Sequence, residues 1–363
     1  MKEPIHGVLP DYQINQLITD GILNGANIER IQPASIDIEL DLNTLISLDY
    51  FTLPIRGESI ESLVMNMRKS GTAKDAKSLT LNTKKHYLVR MKESFLNVPC
   101  FTRANPKSSA GRIFTHSRLL CDKSSMFDEV PVGHTGSLWT LITPKFFPVT
   151  LHETEQLNQL RFFYGDARLS VHELCRELHF NPDLVQMPAE DERFDEIEVI
   201  GSSIGEIPIS VDLKGKCYRT RKTSRPLGLQ ERDAPLDAYY ELIDPESIKN
   251  GLILEEGYGY LIGTVEQFQV GNNMAFEVIA SDKHGEIQID FAGFGDPGFG
   301  LRTIRIGNSV TLEIVSYEKG LCIRHGQYVG TVRFEYMAGR PQKMYQGNYV
   351  HQERGAKAPK YVK

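Results

Sequence analysis

The sequence predicts a mainly β protein in which one domain occurs twice in tandem, with a few short helices. Three observations carry this. The first is a pattern that returns at a near-constant offset. Tyr87-Leu88-Val89, followed by Glu93 and Phe95, returns as Tyr260-Leu261-Ile262, followed by Glu266 and Phe268, an offset of 173 from Tyr87 to Tyr260. Leu160-Arg161-Phe162 returns as Val332-Arg333-Phe334 at an offset of 172, and Ser35-Ile36-Asp37-Ile38 as Ser210-Val211-Asp212-Leu213 at 175. A unit this long is a whole domain, because solenoid repeats run only about 20–50 residues. The second is a run of short alternating stretches, punctuated by Gly, Pro, Asn and Asp at intervals typical of sandwiches and barrels. The third is a length of 363 residues, enough for two or three domains.

Taken in order, the chain opens with a helix. Asp11 caps it, Ile14, Leu17 and Ile18 form its apolar stripe, and Gly21 ends it. After Pro33 the pattern becomes β, with strands expected at 35–40, 78–82, 86–91, 138–143, 149–151 and 157–162. Residues 1–165 thus form the first copy with its N-terminal helix. Residues 166–205 read as a connector: Ser170 caps a helix whose stripe is Val171, Leu174 and Leu178, and an acidic stretch follows at 189–198. Residues 206–340 form the second copy, mostly short strands with a short helix at 245–249. Residues 341–363 form a basic, polar, glycine-containing tail, either a disordered end or a lid that orders over a ligand.

Composition excludes several classes. The net charge of −6 does not suit a general nucleic-acid coat, which needs a broad basic surface. The basic run from Lys214 to Arg225 reads as a solvated loop. No stretch approaches 18 consecutive apolar residues, so no membrane span is expected. Met1-Lys2-Glu3-Pro4 lacks the apolar core of a signal peptide. Cys100, Cys121, Cys175, Cys217 and Cys322 are odd in number and form no CxxC, against a disulfide framework or a structural zinc. A reducing cytoplasm is the expected location.

The motifs differ between the copies. Lys107-Ser108-Ser109-Ala110-Gly111-Arg112 is a small basic turn, able to offer backbone N–H groups, hydroxyls and a guanidinium to phosphate oxygens. The matching place in the second copy, Ser281-Asp282-Lys283-His284-Gly285, has no such turn. Instead the second copy carries Asp296-Pro297-Gly298-Phe299-Gly300, then Val310-Thr311-Leu312-Glu313-Ile314, a strand with one carboxylate. Leu141 stands in the first copy where Glu313 stands in the second. Glu313 reads either as an outward strand carboxylate or, if desolvated, as a general acid/base with its pKa raised toward neutral. Gly293-Phe294-Gly295-Asp296-Pro297-Gly298 matches GxGxxG formally, but strand-like residues 303–306 follow it rather than a helix, so a tight hairpin is expected. A zinc nucleobase deaminase needs a His or Cys with a Glu two residues on together with a Pro-Cys-x-x-Cys, and Pro99-Cys100 has no second cysteine three residues on.

Together, Lys107–Arg112, Asp296–Gly300 and Val310–Glu313 resemble the dCTP deaminases of the dUTPase superfamily. Ile28-Glu29-Arg30-Ile31-Gln32-Pro33-Ala34-Ser35-Ile36-Asp37 is similar to their opening segment, and His325-Gly326-Gln327 through Phe334-Glu335 to their late strand. The length and duplication resemble the long two-copy bacterial members. The resemblance implies two tandem dUTPase-like distorted β-barrels, jelly-roll-like, and zinc-independent deamination of dCTP to dUTP and ammonia. It implies Glu313 as general base, with Ser108 and Arg112 helping to hold the water. It places Lys107 and Ser109 on phosphate, Asp296 near the sugar and Gly298 in the hairpin. Tyr345, Tyr349 and Gln352 would close over the nucleotide, while the family's tail lysine falls on Asn348. Mg2+ would come with the triphosphate, the protein would be a homo-oligomer, and neither polymeric nucleic acid nor membrane would be a partner. A composite site between the copies is the leading expectation. A dUTPase, a bifunctional enzyme that also hydrolyses the triphosphate, and a non-catalytic nucleotide-binding regulator are the alternatives.

Overall fold

The computed structural model describes residues 6–363 apart from 68, 73–76, 189–196, 281–286, 292, 302–306, 350, 351 and 353. The fold is mainly β, and its duplication is visible in strand register. In the first copy the strands His86–Phe95 and Gly136–Pro144 pair antiparallel, with Tyr87 opposite Ile142 and Leu88 opposite Leu141. In the second, Gly259–Phe268 and Asn308–Ser316 pair with Tyr260 opposite Ile314 and Leu261 opposite Glu313. The recurring side chains do the same work. Tyr87 Oη accepts the Asn82 N–H at 2.9 Å, and Tyr260 Oη accepts the Glu255 N–H at 2.9 Å. Glu93 accepts the Glu39 N–H, and Glu266 accepts the Ser210 N–H and hydroxyl. Burial pushes the Glu93 carboxyl up to about 8 and that of Glu266 up to about 7.

Each expected strand of the first copy forms, within a residue or a few of its expected ends. Around them the chain curls into sheets joined almost wholly by antiparallel pairs. Among the described residues, Val149–His152 against Leu227–Gly228 is the one parallel pair of strands, and it joins first copy to second. In the second copy ten strands connect into one sheet, running from Tyr240–Ile243 through Gly259–Phe268 and Tyr328–Tyr336 to Phe294–Gly295. The hairpin reading of 293–298 agrees with this, since Phe294 pairs with Glu277 and Gly295 with Phe276. The strand expected at 303–306 lies outside the described residues. The basic run from 214 is not wholly loop: Cys217–Thr220 is a strand, and Arg219 pairs with Glu241 and Glu255.

Two large cores underlie the copies. The first takes in Phe114, Phe147 and Phe162, and it also draws Tyr239, Tyr240, Leu261 and Tyr361 from the second half of the chain. The second is built on Phe268, Phe276 and Phe334. The stretch 166–205 packs into this second core through Leu169, Leu174, Leu184 and Val185. Its helix Val171–Phe180 has the expected Ser170 cap, closed reciprocally by Glu173. Val185 and Gln186 then add an edge to Gly259–Phe268. These residues therefore belong physically to the second barrel and are more than a connector.

Two local expectations change. The first helix, Asp11–Thr19, is preceded by Pro10 at the cap, so Asp11 is its first residue. Freed from capping, the buried Asp11 carboxylate accepts the backbone N–H groups of Gln342 and Lys343 at 2.9 and 2.8 Å, tying down the start of the tail. The second helix, Ile60–Asn66, has no counterpart in the sequence reading. Its Ile60, Leu63 and Val64 pack with Met67 on Leu88, Trp139 and Leu141. The segment at 245–249 forms a 3-10 turn, Pro245–Ile248. Among the described residues no helix is long and apolar enough to cross a membrane.

The packing of Leu174 gives a direct check. Its side chain is fully buried, so Leu174→Ala is expected to cost about 2–5 kcal/mol in urea unfolding. A loose connector would show less than about 0.5 kcal/mol.

Candidate active site

The first-copy turn and the second-copy carboxylate meet within one chain. Ser108–Gly111 forms a single helical turn between the strand Phe101–Pro106 and the strand Thr115–Cys121. Gly111 packs closely on the second copy: a Cβ on it would lie 3.2 Å from Phe291 and 3.4 Å from the Glu313 carboxyl. Between these elements lies a cavity of about 170 Å³. Lys107, Ser108, Ser109 and Arg112 line it from the first copy, and Asp296 and Glu313 from the second. Tyr345, Asn348 and Tyr349 line it from the tail.

Glu313 is buried and burial pushes its carboxyl up to about 8, against the pull of the Arg112 guanidinium. The neighbouring Asp290 charge pushes the same way as burial. Period-2 alternation puts Thr311 on the Glu313 face, and its hydroxyl accepts from Gln352 Nε2 at 2.8 Å. Asp296 also bridges the copies. Its Oδ1 accepts the Ala34 N–H at 3.2 Å, and burial pushes its carboxyl up to about 7, opposed by Arg161. Arg161 is wholly buried, pairs with Glu335, and stacks over Phe294 at 4.4 Å. Lys107 pairs with Asp37 at the cavity edge.

The tail is ordered along its described length and forms a roof. Gly298, at φ +94°, has space for no side chain beside Met344 and Tyr345, and the Tyr345 N–H donates to the Pro297 carbonyl at 2.9 Å. Tyr349 lies under the Arg112 guanidinium at 3.5 Å. Arg112 donates onward to Gln352 Oε1 at 3.0 Å and to the Lys357 carbonyl at 2.7 Å. Farther on, Arg354 binds Asp212, and Lys363 pairs its backbone with Ala234. The roof is thus held at both ends.

Of the residues singled out in the sequence, Lys107, Ser108, Ser109, Arg112, Asp296, Glu313, Tyr345 and Tyr349 line one cavity. Gly298 and Gln352 stand behind it, one under the roof and one between Arg112 and Thr311. Asn348 lines the cavity where the tail lysine was expected, and Lys357 Nζ donates to its carbonyl. The segment Ser281–Gly285 lies outside the described residues. Sequence reading missed Phe291, Thr311, Asp290, His116 and Lys145. Thr311 had a signal, since alternation places it beside Glu313. Asp290 comes beside Glu313 by strand pairing within the second copy, and His116 and Lys145 are brought near by contact between the copies.

The cavity thus sets a buried carboxyl with a raised pKa beside a guanidinium, hydroxyls and a basic turn, within a mainly β fold. Comparison with known proteins makes this specific. Residues 5–166 match the family model of the 2'-deoxycytidine 5'-triphosphate deaminase (DCD) N-terminal domain, and residues 175–361 match the DCD C-terminal domain. The chain belongs to the 2'-deoxycytidine 5'-triphosphate deaminase family. Among solved structures it is similar to the 2'-deoxycytidine 5'-triphosphate deaminase from Agrobacterium tumefaciens, at 28% identity and a TM-score of 0.83, over 93% of this chain and 100% of that one. No curated protein gives a significant match.

The buried carboxyls make stability depend on pH. Glu93, Glu266, Asp296 and Glu313 hold protons in the folded state to about 7 or 8. The unfolded chain releases them near 4. Between those values the folded state binds more protons, so stability falls as pH rises. The melting temperature is expected to drop from about pH 5 to 8, and Glu313→Gln, which cannot ionise, to flatten part of that slope. An equal slope in both proteins would show that Glu313 titrates normally.

Proposed function

We propose that this protein deaminates dCTP hydrolytically to dUTP and ammonia, at a site formed by the two copies of one chain. The observation that carries the reading is the Glu313 carboxyl, buried against the Ser108–Gly111 turn. Attack at cytosine C4 needs hydroxide at neutral pH and then a donor for the departing amine. Glu313 takes a proton from water, and the hydroxide adds to C4 as the ring electron pair moves to N3. The proton passes from Glu313 to the amine, which leaves as ammonia while that pair reforms the ring double bond. The C4 hydroxyl proton moves to N3 to give the uracil. One group serves both steps if its pKa lies near the working pH, which is where burial puts it. Arg112 and Ser108 stabilise the charge that develops, from positions already fixed by the roof and the turn.

Lys107 and Ser109 face the triphosphate, which brings Mg2+ as part of the substrate. Asp296, held by Ala34, faces the sugar. Tyr345 and Tyr349 close the roof over the nucleotide. The reaction needs no zinc, since the carboxyl itself activates the water. Leu141 does not weigh against activity. Its side chain is covered by the helix Ile60–Asn66, so the first copy keeps a packed apolar face where the second keeps its carboxyl. One site per chain follows.

The test is a product assay with Mg2+ and dCTP. The wild type is expected to release ammonia and dUTP, and Glu313→Gln to lose about 10²–10⁴-fold in rate. Arg112→Ala mixed with Glu313→Gln is expected to give no recovery, because each chain needs both residues in itself. Accumulation of dUMP would show that the triphosphate is hydrolysed as well. Nucleotide binding by the wild type with no ammonia would overturn the deaminase reading.

A further inference from the structure

Asp290 stands one residue past the last paired position between the strands Ile287–Ile289 and Asn308–Ser316, where Ile289 lies opposite Ile314. Its N–H donates to the Glu313 carbonyl at 2.7 Å. Antiparallel register therefore sets Asp290 across from Glu313, with both side chains on one face of the sheet. Like charges in that arrangement repel and ordinarily destabilise a sheet. Here the Asp290 side chain is 1% exposed and is gripped by the other copy. His116 Nε2 lies 2.8 Å from Oδ2, and Lys145 Nζ donates to Oδ1 at 2.7 Å. The His116 ring also meets Phe291, a cavity residue, edge-on at 5.1 Å. The first copy has no such pair: Leu141 lies opposite Arg118, which binds Asp128 at 2.5 Å.

We propose that Asp290 is a positioning residue for the Glu313 site: clamped by His116 and Lys145 from the other copy, it fixes the backbone of Glu313 and Phe291 and sets a standing negative charge beside the Glu313 carboxylate. The inference rests on Glu313 being the proton-moving group and extends that reading. The groups facing Glu313 are Arg112, Asp290 and the phenols of Tyr240 and Tyr349. Those facing Asp290 are His116, Lys145 and Glu313. Burial works against an Asp290 charge, but His116 and Lys145 outweigh it and hold the carboxyl below the ordinary range. Arg112 pulls Glu313 toward the ionised form, against burial. Asp290 offsets Arg112, so that Glu313 can be emptied and refilled in one turnover.

Two variants separate charge from packing. Asp290→Asn keeps the shape and one acceptor oxygen but removes the charge. Lys145→Met removes a clamping cation and leaves the Asp290 charge less compensated. Glu313 protonation is followed by infrared difference spectra over pH, with its carboxyl band identified by its loss in Glu313→Gln. The midpoint is expected to fall by about one pH unit in Asp290→Asn and to rise in Lys145→Met, the size of effect a nearby charge supports. Shifts in the same direction, or both within about 0.3 unit of wild type, overturn the inference. If Asp290→Asn does not fold, the sign of the Lys145→Met shift decides. The spectra need no turnover, so ammonia release by the wild type judges the deaminase reading separately.

Discussion

Phe147 of the first copy sits edge-on against Tyr239 and Tyr240 of the second, at 5.2 and 5.8 Å between ring centres. All three are buried in the first core. Such pairs contribute about 0.5–1.5 kcal/mol each beyond the area they bury. Tyr240 then donates its hydroxyl to the Arg112 carbonyl at 2.7 Å, so the same contact fixes the end of the basic turn. This packing presses Lys107–Arg112 against the strand that carries Glu313. Separate the copies and Glu313 would face water, its carboxyl would return to an ordinary value, and Arg112 would lose its place under the roof.

The two copies share a strand register but differ in what covers the decisive strand face. In the second copy that face looks into the cavity beneath the turn. In the first it looks at the helix Ile60–Asn66, and Leu141 joins Leu63 and Val64 in an apolar cluster. The division of labour is therefore physical. A carboxylate at position 141 would be buried against aliphatic side chains, with its cross-strand cation, Arg118, already held by Asp128, while a leucine at 313 would leave Arg112 beside an apolar wall.

Much of this was legible in the sequence because it depends on local pattern. Tyr87 and Tyr260 sit on strands whose alternation is plain, and Ser170 heads a helix with its Glu173 three residues on. The resemblance carried by Lys107–Arg112 and Glu313 named most of the residues that line the cavity. What was not legible depends on contacts between distant segments. His116, Lys145 and Asp290 have no local signature, since Asp290 gains its place only when its strand pairs beside Glu313, and His116 and Lys145 only when the copies meet. The role of 166–205 was obscured because Leu184 and Val185 are too short a run to announce a sheet edge. The helix at Ile60–Asn66 does show apolar residues at 60, 63, 64 and 67, but it spans only seven residues among irregular neighbours. The tail reads as polar, and its order comes from backbone bonds to Asp11 and Ala234 that composition cannot reveal.

Joining the two barrels in one polypeptide has a consequence for mass action. Where a site is built from separate chains, dilution dissolves it, and its occupancy follows subunit concentration. Here the basic turn and the carboxylate are carried in fixed one-to-one proportion on the same backbone. Their encounter is intramolecular, at an effective concentration set by the fold and not by the amount of protein present. The close contact of Gly111 with Glu313 is made within each molecule, whatever larger assembly the chain enters.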